Sequence, residues 1–390
     1  MQQFLLISSV LLLIFCSISS VSGGNVFCYF ASWTFYRTGK GKFDVNNIDP
    51  SLCTHISFTF VGLGDDGTVK ILDPWESNQE YGPKGFEHLI GLKQQNPDLK
   101  VLVSMGGWNE GSGKYSQLAK NPTLRKSFAS NVLQFLKTWK FDGFELDWAY
   151  PGFRDGSNPA IDKENFVALM SDLRDALAPQ GYSLSAAVTG QINTIKIAYD
   201  IPALSKILDH INVMAYDFHG SYDPYLGHPA PLYPSTLDNQ NGANSTSTVS
   251  AGIEYWLDNG ADPSKLNLGV LTYGQSYTLA DETKTNPYDP ARGAGIAGPY
   301  TQQEGLLGYN EICEFHSDWT YVWDDEQKVP HKIGGNQWVG YEDVTSLKHK
   351  VDYAISKKLG GMMVWSFDTD DFLGLCGDKY PLLKAVQNVR

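Results

Sequence analysis

The chain has 390 residues, with 30 lysines and arginines against 43 aspartates and glutamates, so its formal net charge at pH 7 is −13. Hydrophobic residues make up 42% of it and aromatic residues 13%, which excludes a chain that is disordered throughout. The negative charge excludes a polybasic protein that binds nucleic acid or anionic lipid, and it favours a neutral or weakly charged ligand.

The first element is an apolar run over residues 5–15, followed by small residues up to Gly23. This pattern predicts a secretory signal peptide over residues 1–23, and therefore a secreted, extracellular protein. The absence of lysine and arginine from residues 1–3 weakens the pattern. The alternative is a membrane anchor, which needs about 20 apolar residues with clean flanks. No later stretch reaches that length, so we expect no association with a membrane.

Eight short apolar runs, which we interpret as strands, alternate with segments of helical character further along the chain. The runs are almost continuously apolar, as expected for parallel strands that are covered on both faces. Eight strand–helix units predict an α/β fold, a (β/α)8 TIM barrel, which routinely occupies a chain of this length as one domain. The predicted strands span residues 26–31, 55–61, 101–105, 143–146, 183–188, 211–215, 266–271 and 361–365. The predicted helices include residues 85–94, 121–138, 162–178, 201–208, 248–259 and 343–358.

The interval between the seventh and eighth predicted strands breaks this alternation. Residues 272–340 are rich in Gly, Pro, Tyr, Thr and Trp. A structureless loop of that length is improbable in a compact chain. We therefore expect a small inserted α+β subdomain over residues 274–340, on the catalytic face of a barrel domain that spans residues 24–390.

Four cysteines remain once the predicted signal peptide, which contains Cys16, is removed. An even number of cysteines in a secreted chain suggests two disulfides, for which three pairings exist. We favour Cys28–Cys53 with Cys313–Cys376, because this pairing closes the shorter loops. A zinc site built from the four cysteines is the alternative, although no CxxC spacing supports it. No other metal motif and no GxGxxG sequence after a strand is present, so we expect neither a metal nor a cofactor.

Asn244 begins the one N-x-[ST] sequence of the chain, within a polar segment at residues 239–250. A secreted protein would carry a glycan there, so we predict glycosylation of Asn244. A chance occurrence of the tripeptide is the alternative.

Acidic residues cluster on one predicted strand, within residues 141–151 (FDGFELDWAYP). Because side chains alternate along a strand, Glu145, Asp147 and Ala149 face the same side, which is inward if this is the fourth barrel strand. Barrel enzymes perform their chemistry at the carboxyl ends of such strands. Buried carboxylates are costly unless they are hydrogen-bonded, which favours a functional site. A polar layer that serves only the structure of the barrel is the alternative.

Residues 141–151 resemble the signature D-G-x-D-x-D-W-E-Y-P of glycoside hydrolase family 18, which contains chitinases and chitinase-like lectins. The resemblance implies substrate-assisted hydrolysis without a cofactor. In that reaction the final Glu of the signature protonates the glycosidic oxygen, and the N-acetyl carbonyl of the substrate attacks the anomeric carbon. Further motifs of this family follow in the same order along nearly the whole mature chain, at residues 28–30, 52–55, 105–109, 214–220, 336–341 and 360–366.

The sequence departs from the family signature where the acid should stand. Ala149 occupies the position of the catalytic Glu, and a methyl group cannot deliver a proton. Glu145 replaces the inner Asp, but it lies about 13 Å deeper at ~3.3 Å per residue, so we expect it to stay buried beside Asp147. Gln275 replaces a usual Arg, and Leu271 replaces a usual Pro. Several departures of this kind favour natural divergence over a single engineered knockout.

The resemblance nevertheless assigns a carbohydrate cleft to the chain. It places Asp147, Tyr216 and the position of Ala149 in the catalytic machinery, with Asp147 accepting a hydrogen bond from the acetamide of the ligand. Aromatic faces stack on sugar rings, and polar groups bind their hydroxyls and amides. For any single aromatic residue, core packing is the alternative. The implied ligand contacts are Tyr29, Trp33, Phe60, Trp108, Glu145, Met214, Asp217, Tyr273, Gln275 and Trp365.

Together these features predict a secreted chitinase-like protein that binds chitin or N-acetylglucosamine oligosaccharides without hydrolysing them. Such a protein would act as a lectin, growth factor or matrix organiser. One alternative is a weakly active endochitinase, in which water or a sugar hydroxyl replaces the missing acid. Another is a signalling or structural protein that uses the barrel as a scaffold for an unknown protein partner.

Overall fold

A computed structural model describes residues 23–77, 84–240 and 246–390. Eight parallel strands pair in chain order and close into a barrel, because the first strand pairs with both the second and the eighth. The (β/α)8 TIM barrel expected from the sequence is thereby confirmed. The barrel strands, first to eighth, are Asn25–Ala31, His55–Leu63, Lys100–Gly106, Gly143–Asp147, Ser183–Thr189, His210–Met214, Leu266–Leu271 and Gly361–Trp365. A short strand, Val69–Lys70, pairs antiparallel with the second of them.

Both faces of the barrel strands are buried, which explains their almost continuous apolar sequences. In the third strand every residue after Lys100 is buried, and in the fifth every residue after Ser183. One face of each strand fills the barrel and the other packs against the surrounding helices. The barrel and these helices therefore share one large hydrophobic core.

Helices alternate with the strands, and some of them begin at a residue whose side chain caps the helix. The Asn121 side chain accepts hydrogen bonds from two backbone N–H groups of the helix that starts at Pro122. The Asp343 side chain accepts one from the Ser346 N–H. Two seven-residue helices after the third and fifth strands were not predicted, because so few turns carry little periodicity. The α-helices are Pro74–Ser77, Gly85–Gly91, Gly113–Ala119, Pro122–Trp139, Asp162–Leu177, Ile192–Ala198, Ile201–Ile207, Thr236–Gln240, Val249–Asp258, Tyr309–Phe315, Val344–Ser356 and Pro381–Val386.

The segment between the seventh and eighth barrel strands forms a second sheet, which is antiparallel. Its first strand starts at Tyr273, directly after Thr272, so this small α+β unit begins at the carboxyl-terminal end of the barrel. The helix Tyr309–Phe315 lies within it. Its strands are Tyr273–Leu279, Ala291–Ala294, Leu306–Gly308, Thr320–Asp324, Val329–Gly334 and Gln337–Gly340.

The four cysteines form the two favoured disulfides, Cys28–Cys53 and Cys313–Cys376, whose Cα–Cα distances are 6.1 and 6.0 Å. This pairing is confirmed, and the alternative of a four-cysteine zinc site is wrong. The predicted signal peptide, except for Gly23, and the predicted glycosylation site Asn244 lie outside the described residues. Of the helices in the described ranges, none has both the length and the apolar character needed to cross a membrane.

Candidate active site

The fourth barrel strand places two carboxylates inside the barrel. In its parallel register with the third strand, Glu145 lies opposite Ser104, and Asp147 lies opposite Gly106. Glu145 is 0% exposed and Asp147 is 6% exposed. The strand ends at Asp147, so Ala149 lies in the connection just beyond it and is 3% exposed. The three positions therefore run from the interior of the barrel to its rim.

Glu145 is bound inside the barrel by several hydrogen-bond donors. Tyr29 Oη donates to its Oε1 at 2.8 Å and Asn212 Nδ2 at 2.6 Å, while Ser57 Oγ donates to Oε2 at 3.2 Å. Burial raises the pKa of the Glu145 carboxyl, and these hydrogen bonds oppose that shift. Tyr29 and Glu145 were expected to contact a ligand. The structure leaves them only 1% and 0% exposed, and their contact with a ligand stays a prediction.

Asp147 is the carboxylate nearest to the rim on this strand. Its Oδ1 has no hydrogen-bond partner among the residues that the structure describes. Burial, and then the negative charge of Glu145, raise the pKa of Asp147 to about 8. The raised pKa favours the protonated form of Asp147 at neutral pH, and a protonated carboxyl can donate a hydrogen bond as well as accept one.

A second polar group follows the sixth strand and reaches the inserted sheet. Asp217 has a positive φ of 53°. Its Oδ2 accepts a hydrogen bond from Tyr273 Oη at 2.7 Å, and its Oδ1 accepts one from Gln275 Nε2 at 2.9 Å. Burial raises the pKa of Asp217, and the two hydrogen bonds oppose that shift. The neutral amide of Gln275 therefore links the inserted sheet to the barrel without supplying a charge.

Tyr216 is close enough to Asp147 and Asp217 to interact electrostatically with both. Burial, and then the charges of Asp217 and Asp147, raise the pKa of its hydroxyl well above its ordinary value. Its Oη lies 3.8 Å from Met363 Sδ. Tyr216 is 8% exposed, and Met214 at the end of the sixth strand is half-buried. The phenol is therefore a neutral hydrogen-bonding group at the floor of the site.

Three aromatic rings stack at the carboxyl-terminal end of the barrel. The ring centroids of Trp33 and Phe60 are 6.1 Å apart, and their planes are inclined by 15°. The ring centroids of Phe60 and Trp365 are 5.9 Å apart, and their planes are inclined by 26°. Trp33 is 45% exposed, whereas Phe60 and Trp365 are half-buried. The ring centroid of Tyr29 lies 5.3 Å from that of Trp365. The stack leaves partly open apolar ring faces, which suit the apolar faces of sugar rings.

Trp108 lies outside this stack and is 61% exposed. The guanidinium carbon of Arg154 lies 3.8 Å from the centroid of the indole ring. Arg154 Nη1 donates to the carbonyl oxygens of Trp108 at 2.6 Å and Ala149 at 3.3 Å. Arg154 was not among the residues predicted from the sequence, because one arginine in an irregular loop carries no periodic or motif signal.

One family model matches almost the whole of the described chain. This model, Glycosyl hydrolases family 18, matches residues 25–370. The chain belongs to glycoside hydrolase family 18. Its sequence is 41% identical to Probable chitinase 2 of Drosophila melanogaster over 364 residues, which cover 90% of this chain and 73% of that protein.

Solved structures of family 18 proteins share this fold. The Group IV chitinase of Ostrinia furnacalis is 40% identical and superposes with a TM-score of 0.90, covering 94% of this chain and 99% of the chitinase. Human YKL-39, described as a pseudo-chitinase with retained chitooligosaccharide binding properties, is 34% identical with a TM-score of 0.86. That comparison covers 94% of this chain and 99% of YKL-39. Membership of family 18 is therefore compatible with hydrolysis and with binding alone.

The raised pKa of Asp147 predicts how the stability of this family 18 barrel depends on pH. An unfolded aspartate loses its proton near its ordinary pKa of 3.8, whereas folded Asp147 loses it near 8. Between these pH values the folded state binds the extra proton, so this group makes the free energy of unfolding fall as pH rises, by up to a few kcal/mol.

We expect Asp147→Asn to match the wild type near pH 4 and to exceed its free energy of unfolding by at least ~1 kcal/mol at pH 8. Denaturant unfolding monitored at several pH values measures this difference. A difference that stays constant from pH 4 to pH 8 would show that Asp147 titrates normally.

Proposed function

We propose that this protein binds chitin or N-acetylglucosamine oligosaccharides in the cleft at the carboxyl-terminal end of the barrel and does not hydrolyse them. The observation that carries the proposal is the stack of Trp33, Phe60 and Trp365 beside a position 149 that holds only a methyl group. Ring stacking supplies a surface for saccharide binding. General acid catalysis, by contrast, requires a proton donor within reach of the glycosidic oxygen.

The polar groups of the cleft suit an N-acetylated sugar. Asp147 has an unpartnered Oδ1 within the described part of the chain, and this oxygen can accept a hydrogen bond from an acetamide N–H. Asp217, which directly follows Tyr216 in the chain, interacts with its hydroxyl electrostatically. The relative YKL-39, which is described as retaining chitooligosaccharide binding as a pseudo-chitinase, supports a binding function for such a cleft.

Glu145 does not replace the missing acid in this proposal. Its side chain is fully buried and its two oxygens accept hydrogen bonds from Tyr29, Asn212 and Ser57. It lies on the strand four residues before position 149, about 13 Å deeper in the barrel. A carboxyl bound in this way cannot reach a glycosidic oxygen at the rim.

A weakly active endochitinase is the second candidate, and one observation favours it. Burial, and then the charge of Glu145, raise the pKa of Asp147 to about 8, which favours a protonated carboxyl at neutral pH. Substrates with a good leaving group need little protonation and are the most sensitive test of residual activity. Hydrolysis of such a substrate by the wild type, lost in Asp147→Asn, would establish this candidate.

Titration calorimetry with the N-acetylglucosamine pentasaccharide tests the proposed binding. We expect Trp365→Ala to weaken the affinity by about 30-fold, since a central tryptophan contributes at least ~2 kcal/mol to such an interface. The matched control is Tyr321→Ala, because Tyr321 is 47% exposed on the far edge strand of the inserted sheet. Absence of wild-type binding at millimolar ligand would contradict the proposal. A protein partner that still binds Trp365→Ala would instead indicate that the barrel acts as a scaffold.

We also propose that the chain is secreted and loses residues 1–23, and that Asn244 carries a glycan. The two disulfides support this location, because such bonds persist in oxidising compartments. The mature protein would then be the barrel domain of residues 24–390 with its inserted unit at residues 274–340. Mass spectrometry of protein from a eukaryotic culture medium, before and after glycan removal, tests both points.

A further inference from the structure

The aromatic residues of the cleft are supported in two different ways. Trp33, Phe60 and Trp365 support one another by ring stacking, with centroids 5.9–6.2 Å apart. Trp108 has no stacked ring partner in residues 23–77, 84–240 and 246–390, although it is 61% exposed. The group that lies over its indole is the guanidinium of Arg154, at 3.8 Å from the ring centroid.

Arg154 is anchored to the backbone at two points of the site. Its Nη1 donates to the carbonyl oxygens of Trp108 at 2.6 Å and Ala149 at 3.3 Å. Within the described chain it forms no ion pair with a carboxylate. A planar guanidinium can lie flat on an aromatic face while it donates hydrogen bonds at its edge. Arg154 therefore connects the Trp108 ring to the backbone at position 149.

We infer that Arg154 is a positioning residue that holds the Trp108 indole as a second sugar platform and thereby sets a preference for longer oligosaccharides. The inference rests on the proposed function. One face of the indole is covered by the cation, and the high exposure of Trp108 leaves the rest of the ring for a ligand. In the described chain no hydrogen bond and no cation–π contact joins Arg154 to the three-ring stack, so we expect a short saccharide bound there not to depend on Arg154.

The affinities for the disaccharide and the pentasaccharide of N-acetylglucosamine test this inference. In Arg154→Ala we expect the pentasaccharide affinity to fall about 5-fold, because the cation–π interaction with Trp108 is lost. The disaccharide affinity should change less than about 2-fold. Arg154→Lys keeps the positive charge but loses the planar guanidinium with its hydrogen-bond donors, so this variant should retain part of the pentasaccharide affinity. Lys137→Ala, which removes an exposed cation from the outer helix Pro122–Trp139, is the control.

A folded Arg154→Ala variant with an unchanged ratio of the two affinities would overturn the inference. A gain in pentasaccharide affinity would overturn it as well, because the guanidinium would then cover the face that the ligand needs. If the wild type binds neither saccharide, the proposed function fails and this inference fails with it.

The contact between Arg154 and Trp108 is tested separately by tryptophan fluorescence without ligand. Arg154→Ala should change the emission of the wild type and leave that of Trp108→Phe unchanged. This readout distinguishes a failure of the contact from a failure of saccharide binding, because it does not depend on a ligand. An equal change in both backgrounds would contradict the positioning role.

Discussion

Replacing Ala149 by Glu is expected to raise the hydrolysis of chito-oligosaccharides by about 10²–10⁴-fold, the usual contribution of a general acid. Position 149 follows the end of the fourth strand at Asp147 and lies at the rim of the barrel. The proposed saccharide platforms and the buried carboxylates beneath them are already in place. A carboxyl at this position would add the proton donor that the family signature contains and this chain lacks.

The matched control is Ala149→Gln, which has the same size as the Glu variant but no acidic proton. Chromatography of the released saccharides measures turnover, and calorimetry with the pentasaccharide shows whether both variants keep a folded cleft. Equal turnover of Ala149→Glu and Ala149→Gln, with binding retained, would mean that the residue at position 149 does not limit hydrolysis. Wild-type turnover as high as that of Ala149→Glu would favour the weakly active endochitinase.

The barrel could be predicted from the sequence because its strands are buried on both faces. That burial requires almost continuous apolar runs, and all eight runs coincide with barrel strands within a few residues. Position 149 could be located through the resemblance to the family signature, and side-chain alternation along the strand placed Glu145 and Asp147 on one face. Short helices such as Ile192–Ala198 were missed, because their stability comes from packing against the barrel more than from a periodic sequence.

The parts of the site that depend on long-range contacts could not be predicted. Tyr29 was expected to contact a ligand, and nothing in the sequence showed that its hydroxyl binds the Glu145 carboxylate, 116 residues away in the chain. Asn212 sits in an apolar strand and gives no pattern, although it donates to the same carboxylate. Arg154 acts through its contact with Trp108, which sequence spacing does not encode. Single polar residues of this kind acquire their role only when the fold brings their partners together.

Lys350→Met is expected to lower the free energy of unfolding by about 3–5 kcal/mol, because it leaves a buried carboxylate without its counter-charge. Lys350 lies on the helix Val344–Ser356 and is 0% exposed, and its partner Glu342 is 1% exposed. Lys350 Nζ contacts the Glu342 carboxylate and donates to the carbonyl oxygen of Ala230 at 2.6 Å. In sequence this lysine resembles a solvent-exposed helix residue, so only the fold shows the free-energy cost of burying its charge.

The double variant Lys350→Met/Glu342→Leu should recover most of the lost stability, because an apolar pair of similar volume removes both buried charges. Denaturant unfolding of the wild type, both single variants and the double variant gives the coupling free energy, and strictly additive losses would contradict a functional pair.

The pair of Lys350 and Glu342 is also connected to the residues of the proposed saccharide site. Glu342 follows the strand Gln337–Gly340, whose last residue is paired with Gln275. Loss of the pair should therefore loosen the inserted sheet, and with it the hydrogen bond that Gln275 donates to Asp217.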